Sequence, residues 1–163
     1  MKQNGSLVKT LKDDTILEVF LNTPIKSGQK TVFELSFQGK VPDVIRRAGK
    51  NSKENIAYSM AQWYPKICEY DIDGWNTDPY TGREFHGVWG NYDVKIKLNK
   101  QYTVAATGYL KNAKQIGHGY HETNSDDISK EKLTWHFTAP NVHDFTWSCL
   151  LYTSPSPRDL STS

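Results

Sequence analysis

This 163-residue chain contains five histidines, whose side chains could bind a metal or transfer a proton. His118 and His121 lie three residues apart in "GHGYHET", a glycine-containing loop. Zinc requires three or four ligands, which helices and strands usually present, so we interpret these two histidines as a solvated pair. His136 lies between Trp135 and Phe137 in a strand-like run, and we expect it to point away from their apolar face toward water.

One histidine stands directly beside an acid, His143 before Asp144. An imidazole–carboxylate pair can activate a nucleophile. Adjacent residues of a strand point in opposite directions, however, and no sequence motif identifies a serine or cysteine near this pair as a nucleophile. We therefore do not expect a catalytic pair here.

Three acids alternate along "EYDIDG": Glu69, Asp71 and Asp73. If extended, they share one face, and paired carboxylates can hydrolyse glycosides or bind calcium. The calcium-loop pattern fails, because Gly74 is the fourth residue from Asp71 instead of the sixth and no glutamate stands at the twelfth position. A solvated or loop-capping cluster is the favoured interpretation, with a carboxylate-based hydrolase as the alternative.

Other signatures of chemistry are missing from the sequence. It contains no phosphate-binding glycine loop, no G-x-S-x-G and no H-E-x-x-H. Its two cysteines, Cys68 and Cys149, form neither a disulfide framework nor a zinc motif. We predict no catalytic residue and no metal ligand in this chain.

The charge and hydrophobicity of the chain limit the classes of partner that it could bind. The net charge is +2, from 20 basic and 18 acidic residues that are interspersed, which gives no electrostatic case for binding nucleic acid or an anionic membrane. No apolar run approaches the roughly 20 residues of a membrane helix, and the first residues lack the apolar stretch of a signal peptide. We expect one domain with a real core.

Alternation with period two dominates the chain and predicts strands. In "YDVKIKL" and "LTWHFT" every second residue is apolar, and "TVFELSF" shows the same pattern. "TILEVFL", from Thr15 to Leu21, is apolar on both faces, as expected of a central strand, and Asn99 to Gln101 is short enough for a hairpin turn. We expect Phe145 and Trp147 on one side of a last strand. No helical spacing occurs, so the chain is predicted to be an all-β, antiparallel β-sandwich with surface loops at 40–60 and 111–132.

The last residues differ from the rest. "TSPSPRDLSTS" cannot bury enough apolar surface to order itself. "CLLYTSPSPRD" also resembles a translated sequencing-adapter read-through. We therefore predict a β domain over residues 1–148, truncated, and a disordered or artefactual tail over 149–163.

Four phrases in order carry a family resemblance over about 13–148. They are "TILEVFLNTPIKSGQKTVFELSFQGKVP", "QWYPKICEYD", "GVWGNYDVKIKLNKQYTVAATGYL" and "KLTWHFTAPNVHDFTWS", in which A-P-x-V-H-D-F-x-W is the most specific. Together they resemble the N-terminal domain of the gluzincin zinc aminopeptidases, the aminopeptidase N and leukotriene hydrolase group, in its Bacteroidetes-type branch.

The resemblance implies a saddle-like β-sandwich that packs on a thermolysin-like catalytic domain. In the family that domain holds the H-E-x-x-H, a further glutamate ligand and a G-x-M-E-N strand, none of which stands in this chain. The implied cofactor is zinc in the missing catalytic domain, with none in this chain. The implied partners are that domain and the peptide substrate, and export of the parent enzyme is an expectation from the resemblance alone.

One loop of the family's N-terminal domain, a Q-x-E-P segment, reaches the substrate's amino end. Gln62 and Pro65 match it, but Tyr64 stands where the family has glutamate. A carboxylate pairs with an ammonium group, whereas a phenol offers only a hydrogen bond or a ring face. Gln62 and Tyr64 are therefore candidates that border the substrate groove, with packing against the partner domain as the other role.

Two functions follow. The first is a non-catalytic domain that braces a metallopeptidase and borders its peptide groove; its aromatic-rich loop would be exposed in the absence of the partner. The alternative is a free-standing carbohydrate- or protein-binding β-sandwich. A flat, coplanar strip of exposed aromatics would favour the sugar-binding function, and its candidates are Trp63, Trp75, Tyr80 and Trp89.

Overall fold

A computed structural model describes residues 1–43, 47–52, 55–77, 87–117, 120 and 131–151. The chain divides into two compact units. The first unit comprises Met1–Lys40 and Cys68–His86, and the second unit comprises Val41–Ile67 and Gly87–Ser163.

The described residues are almost entirely β, which confirms the predicted all-β class. All strand pairs are antiparallel. The elements are β1 (Lys2–Gln3), β2 (Ser6–Leu7), β3 (Lys9–Asp13), β4 (Ile16–Phe20), β5 (Phe33–Glu34), β6 (Gly49–Lys50), β7 (Ile56–Met60), β8 (Tyr70–Asp71), β9 (Gly74–Trp75), β10 (Gly90–Asn99), β11 (Tyr102–Ala106), β12 (Tyr109–Leu110), α1 (Ala113–Ile116), β13 (Lys132–Val142) and β14 (Trp147–Leu151).

The second unit contains two sheets that share one core. One sheet has the strand order β10-β13-β12, and the other has the order β11-β14-β7-β6. Both sheets contribute to one apolar cluster, so the unit is sandwich-like. Its buried members are Ile96, Val104, Ile116, Leu133, Trp135, Phe137, Ala139, Phe145 and Cys149.

Alternation along β10 and β13 places the apolar face inward, as predicted. Lys95 and Lys97 are exposed, whereas Ile96 between them is buried. Leu133, Trp135 and Phe137 are buried in the same way on β13. These two strands pair over nearly their whole length. Their register is fixed by the hydrophobic pattern, because a slip of one residue would turn the buried side chains toward water.

The predicted hairpin at Asn99 to Gln101 is wrong. β10 pairs with β13, whereas β11 pairs with β14 in the other sheet. The turn is local, since the Gln101 N–H donates to Asn99 Oδ1 at 3.0 Å. The Lys100 N–H donates to the Glu131 carbonyl at 3.0 Å, and this bond also ties the turn to the start of β13. The chain therefore crosses from sheet to sheet here.

The two predicted surface loops also contain structure. β6 and β7 lie within 40–60, and β7 is an interior strand between β14 and β6. Its sequence "IAYSM" alternates large and small side chains, but every residue is half-buried, so the strand does not separate into a buried and an exposed face. Helix α1 lies within 111–132, and its Ile116 is buried in the core.

The first unit is built from small sheets. β3 and β4 form a two-stranded hairpin, and β2, β1 and β5 form another sheet. The prediction of β4 as a central strand is wrong among the described residues, because β4 pairs with β3 alone and leaves Leu17 and Phe20 partly exposed. Of the predicted strand "TVFELSF", Phe33–Glu34 is β5.

The final strand continues past the predicted domain boundary at Ser148. β14 runs through Leu151, and Cys149 is buried in the core opposite Tyr58 and Val104. Burial raises the pKa of the Cys149 thiol to about 11, with a smaller lowering from its hydrogen bond to the Tyr58 backbone. The remainder of the predicted tail, residues 152–163, lies outside the described residues.

Candidate functional site

The segment from Gln62 to Pro65, which was predicted to resemble a Q-x-E-P loop, follows shortly after β7. Gln62 adopts a left-handed backbone with φ of +51°, and the chain then turns so that Trp63 packs against the core. The Trp63 indole N–H donates to the Phe145 carbonyl at 3.0 Å. Its ring meets Trp147 edge-on at 6.4 Å between centroids. Trp63 is therefore held by both a hydrogen bond and aromatic packing.

Tyr64 lies at the centre of a polar cluster. Its hydroxyl donates to Asp144 Oδ1 at 2.9 Å and lies 3.0 Å from the Tyr92 hydroxyl. Burial raises the pKa of Tyr64, and the hydrogen bonds to Tyr92 and Asp144 raise it further. Tyr64 thus stays neutral and acts as a hydrogen-bond donor within the domain.

Asp144 accepts the ion pair and the hydrogen bonds of this cluster. Lys66 Nζ lies 2.9 Å from Asp144 Oδ1, and both side chains are largely buried. The Phe145 N–H also donates to this carboxylate at 2.8 Å. Burial opposes ionisation of Asp144, but the bonds from Lys66 and Tyr64 outweigh it and lower its pKa overall. The carboxylate is therefore ionised and paired with Lys66, and all three contacts fall on its Oδ1.

Tyr64 obtains its carboxylate partner from a distant part of the chain. Residue 64 is a tyrosine, and its hydroxyl is bonded to Asp144, which is 80 residues away. The sequence analysis considered His143 as a partner of Asp144 and did not expect a catalytic pair. Both residues lie between β13 and β14, and no sequence signal identified Tyr64 or Lys66 as partners of Asp144.

A small open depression lies beside this cluster. It is lined by Tyr64, Pro65, Lys66, Ile67, Val88 and Tyr92 and has a volume of about 130 Å³. Drug-sized ligands and cofactors occupy pockets of about 300–1,000 Å³. The depression suits a single side chain.

A larger open groove begins where the segment starts. Its volume is about 520 Å³, and Ala61, the residue before Gln62, contributes to its lining. The groove follows the ends of β7, β11 and β14 and is lined mainly by small or hydroxylated side chains. Its residues are Ser59, Met60, Ala61, Ala105, Ala106, Thr107, Thr146, Trp147 and Ser148.

The histidines do not converge on a metal site within the described ranges. His136 lies on the outer face of β13 as predicted, and its Nε2 is 2.9 Å from Asp93 Oδ1 at the surface. The His143 ring packs on Trp89 at 5.4 Å, not on Asp144. Across those ranges, no three His, Cys, Asp or Glu side chains gather to hold an ion. His86, His118 and His121 lie outside the described residues.

Asp71 caps a turn, which confirms the loop-capping interpretation for this acid. Its Oδ1 accepts the Asp73 N–H at 2.9 Å, and its Oδ2 accepts from Asn76 Nδ2 at 2.9 Å. The turn joins β8 to β9, so this carboxylate orders a hairpin.

The aromatics named for sugar binding are in different environments. Trp63 packs on the core of the second unit, while Trp89 in that unit is 64% exposed. Trp75 belongs to the first unit and meets Tyr70 edge-on, with an interplanar angle of 66°. Tyr80 lies outside the described residues. The Tyr70–Trp75 pair does not present one flat face.

Comparison of the chain with protein-family models, with curated proteins and with solved structures found no match. In the part of the chain that the structure describes, no helix has the length and apolar character needed to cross a bilayer.

Proposed function

We propose that this chain is a non-catalytic N-terminal β domain of a zinc metallopeptidase of the aminopeptidase type. In this proposal it braces the catalytic domain and borders the peptide groove. The zinc and the general base belong to the catalytic domain, which would activate water for attack on the peptide carbonyl. The ordered series of four sequence phrases supports the family, and the β-sandwich character of the second unit is compatible with it.

The observation that carries the bracing role is the fixation of the segment Trp63–Lys66. Trp63 bonds the Phe145 carbonyl, while Tyr64 and Lys66 both bond Asp144. Three anchors of this kind within four residues restrict the conformational freedom of the segment. A rigid edge can position a neighbouring domain without losing conformational entropy on contact.

The same bonds argue against amine anchoring by this loop. A substrate ammonium group would pair best with a carboxylate whose charge is uncompensated. Asp144 is instead paired with Lys66 and accepts bonds from Tyr64 and Phe145. Gln62, which follows the groove-lining residue Ala61, is the remaining candidate to contact peptide substrate through its amide.

The reading frame of the gene tests the family assignment most directly. We expect an in-frame H-E-x-x-H to be encoded downstream of the A-P-x-V-H-D-F-x-W phrase. A gene that terminates soon after Trp147, with no such motif, would contradict the proposal. The purified chain alone should not hydrolyse aminoacyl anilides, and chelator-sensitive hydrolysis by the chain alone would also contradict it.

The groove-bordering role is tested in the parent enzyme. Gln62→Ala should raise KM for a peptide substrate about 3- to 10-fold with kcat nearly unchanged, since one ground-state hydrogen bond is lost. Gln101→Ala, in the exposed turn after β10, is the matched control and should leave both constants unchanged. An unchanged KM in Gln62→Ala would remove this residue from the groove.

The alternative function, a free-standing binding module, receives support in its protein-binding form. The exposed aromatics of the first unit lie on an ordered hairpin, as expected of a protein-contacting element. The sugar-binding form is disfavoured, because the rings of Tyr70 and Trp75 are inclined at 66°.

A further inference from the structure

The β8–β9 hairpin of the first unit exposes three large apolar side chains within six residues. Ile72 at its tip is 98% exposed, Tyr70 is 66% exposed and Trp75 is 58% exposed. Single exposed apolar residues are ordinary on protein surfaces, but such a cluster marks an interaction site. Tyrosine and tryptophan are also the residues that most often dominate binding energy at protein interfaces.

The hairpin is held in shape by its own polar groups. Asp71 accepts from the Asp73 N–H and from Asn76 Nδ2, both at 2.9 Å. The Asn76 N–H donates to the Glu69 carbonyl at 2.8 Å and closes the base. Gly74 takes φ of +106°, a conformation that favours glycine. Ile72 is thus presented by an ordered turn, so little entropy is lost when a partner covers it.

Charge distinguishes between the partners that could cover this tip. The charged side chains from Glu69 to Trp75 are all acidic, in a chain whose net charge is +2. Pairing of the hairpin with the same hairpin of a second copy would place like charges together, which is unfavourable. The inclined rings of Tyr70 and Trp75 do not form a platform for a sugar. A protein surface with basic residues would attract the acidic side chains, and it does not require coplanar rings.

We propose that the β8–β9 hairpin is a docking element that inserts Ile72, flanked by Tyr70 and Trp75, into an apolar pocket rimmed by lysine or arginine on another protein. Asp73 beside the tip faces the basic rim. This inference stands apart from the metallopeptidase proposal, since it rests on the hairpin alone.

A random peptide library displayed on phage, selected on the immobilised full chain, tests the proposal. Enriched peptides should combine aromatic or aliphatic residues with lysine or arginine. Their binding should weaken at least about 10-fold on Ile72→Asp, the loss of an interface anchor. Ile25→Asp is the matched control, because Ile25 is an exposed isoleucine of the same unit, and it should bind as the unmodified chain does. Ile72 is almost fully exposed, so its replacement should leave the fold intact.

Charge forms the second part of the test. Asp73→Asn should weaken binding of the enriched peptides about 2- to 5-fold at low salt and less at high salt, because the contact at the rim is electrostatic. Asp13→Asn, on exposed β3, is the control and should have no effect.

Four outcomes would overturn the proposal. They are failure to enrich any peptide, enriched peptides that bind Ile72→Asp as well as the unmodified chain, enriched peptides without basic residues, and self-association or glycan-array binding that Ile72→Asp abolishes. Self-association would be visible in sedimentation of the full chain.

Discussion

The aromatic-rich stretch of this chain divides into two parts with opposite environments. Trp63 and Tyr64 pack on the core of the second unit, whereas Tyr70 and Trp75 stand exposed on a hairpin of the first unit. The two parts are similar in composition and lie only a few residues apart. Aromatic content therefore indicates that a segment contacts something, but it does not indicate whether the contact is internal or external.

The two parts differ in what their rings contact. The Trp63 N–H donates to the Phe145 carbonyl, and the Tyr64 hydroxyl donates to Asp144, so both rings are half-buried against the core with their polar ends hydrogen-bonded. In the hairpin, Tyr70 and Trp75 contact each other at 4.9 Å, and their apolar surface stays in water. Five predictions sharpen this contrast, beginning with the largest expected effect.

Phe145→Ala should destabilise the chain by about 3–5 kcal/mol, because it removes a fully buried ring on which Tyr92 stacks. The measurement is the free energy of unfolding in urea. Trp75→Ala in the hairpin is the control and should cost less than about 1 kcal/mol, since that ring is mostly exposed. Equal losses in the free energy of unfolding for the two variants would contradict the proposed contrast between a packed and an exposed aromatic region.

Asp144→Ala should cost about 2–4 kcal/mol, because Lys66 and the Tyr64 hydroxyl lose their partner in a largely buried site. Asp93→Ala removes an exposed carboxylate that pairs with His136, and it should cost less than about 1 kcal/mol. Urea unfolding at neutral pH measures both. A loss at Asp144 no larger than that at Asp93 would show that the anchor is weak.

The contribution of Asp144 also depends on pH. Because its pKa is lower in the folded than in the unfolded chain, the stabilisation is present above the ordinary value of 3.8 and is lost as the pH falls through the folded value. The stability difference between the unmodified chain and Asp144→Asn should therefore be constant near neutral pH and shrink in acid. A difference that grows in acid would mean that the pKa is raised instead.

Tyr64→Phe should cost about 1 kcal/mol, since it keeps the packed ring and removes only the hydroxyl that bonds Asp144. Its Trp63 fluorescence should match that of the unmodified chain. Tyr70→Phe in the exposed hairpin is the matched control, with an expected change within about 0.5 kcal/mol. A neutral result at Tyr64 would remove the hydroxyl from the group of anchors.

Ile72→Asp should change the free energy of unfolding by less than about 0.5 kcal/mol, because the side chain is almost entirely in solvent. Ile96→Asp is the contrasting variant, since Ile96 is buried on β10, and it should prevent stable folding. Circular dichroism and urea unfolding measure both. A large loss at Ile72 would mean that the tip packs within the chain.

Much of the second unit was predictable from residue alternation alone. The inward faces of β10 and β13 follow from period-two patterns, because one face of each strand is buried and the other meets water. The outward position of His136 and the turn-capping role of Asp71 follow from similarly local rules. These features depend on neighbours within a few residues.

Other features depended on contacts that the pattern does not carry. β7 alternates large and small side chains over only five residues, and its interior position between β14 and β6 depends on those two strands. The connection between β10 and β11 resembles a hairpin turn, but which sheet each strand joins is set by β13 and β14. The burial of Cys149 beyond the predicted boundary likewise follows from its neighbours across the sheet.

The sequence by itself determined that this protein is a β protein and which faces of its two long, alternating strands are buried, since strand geometry converts alternation directly into two faces. Only the tertiary structure decided which aromatics are anchors and which are exposed. Whether a ring becomes an anchor depends on contacts with residues that are distant in the sequence, and Asp144 lies 80 residues from Tyr64. Pairings over such separations arise from packing, and no local spacing encodes them.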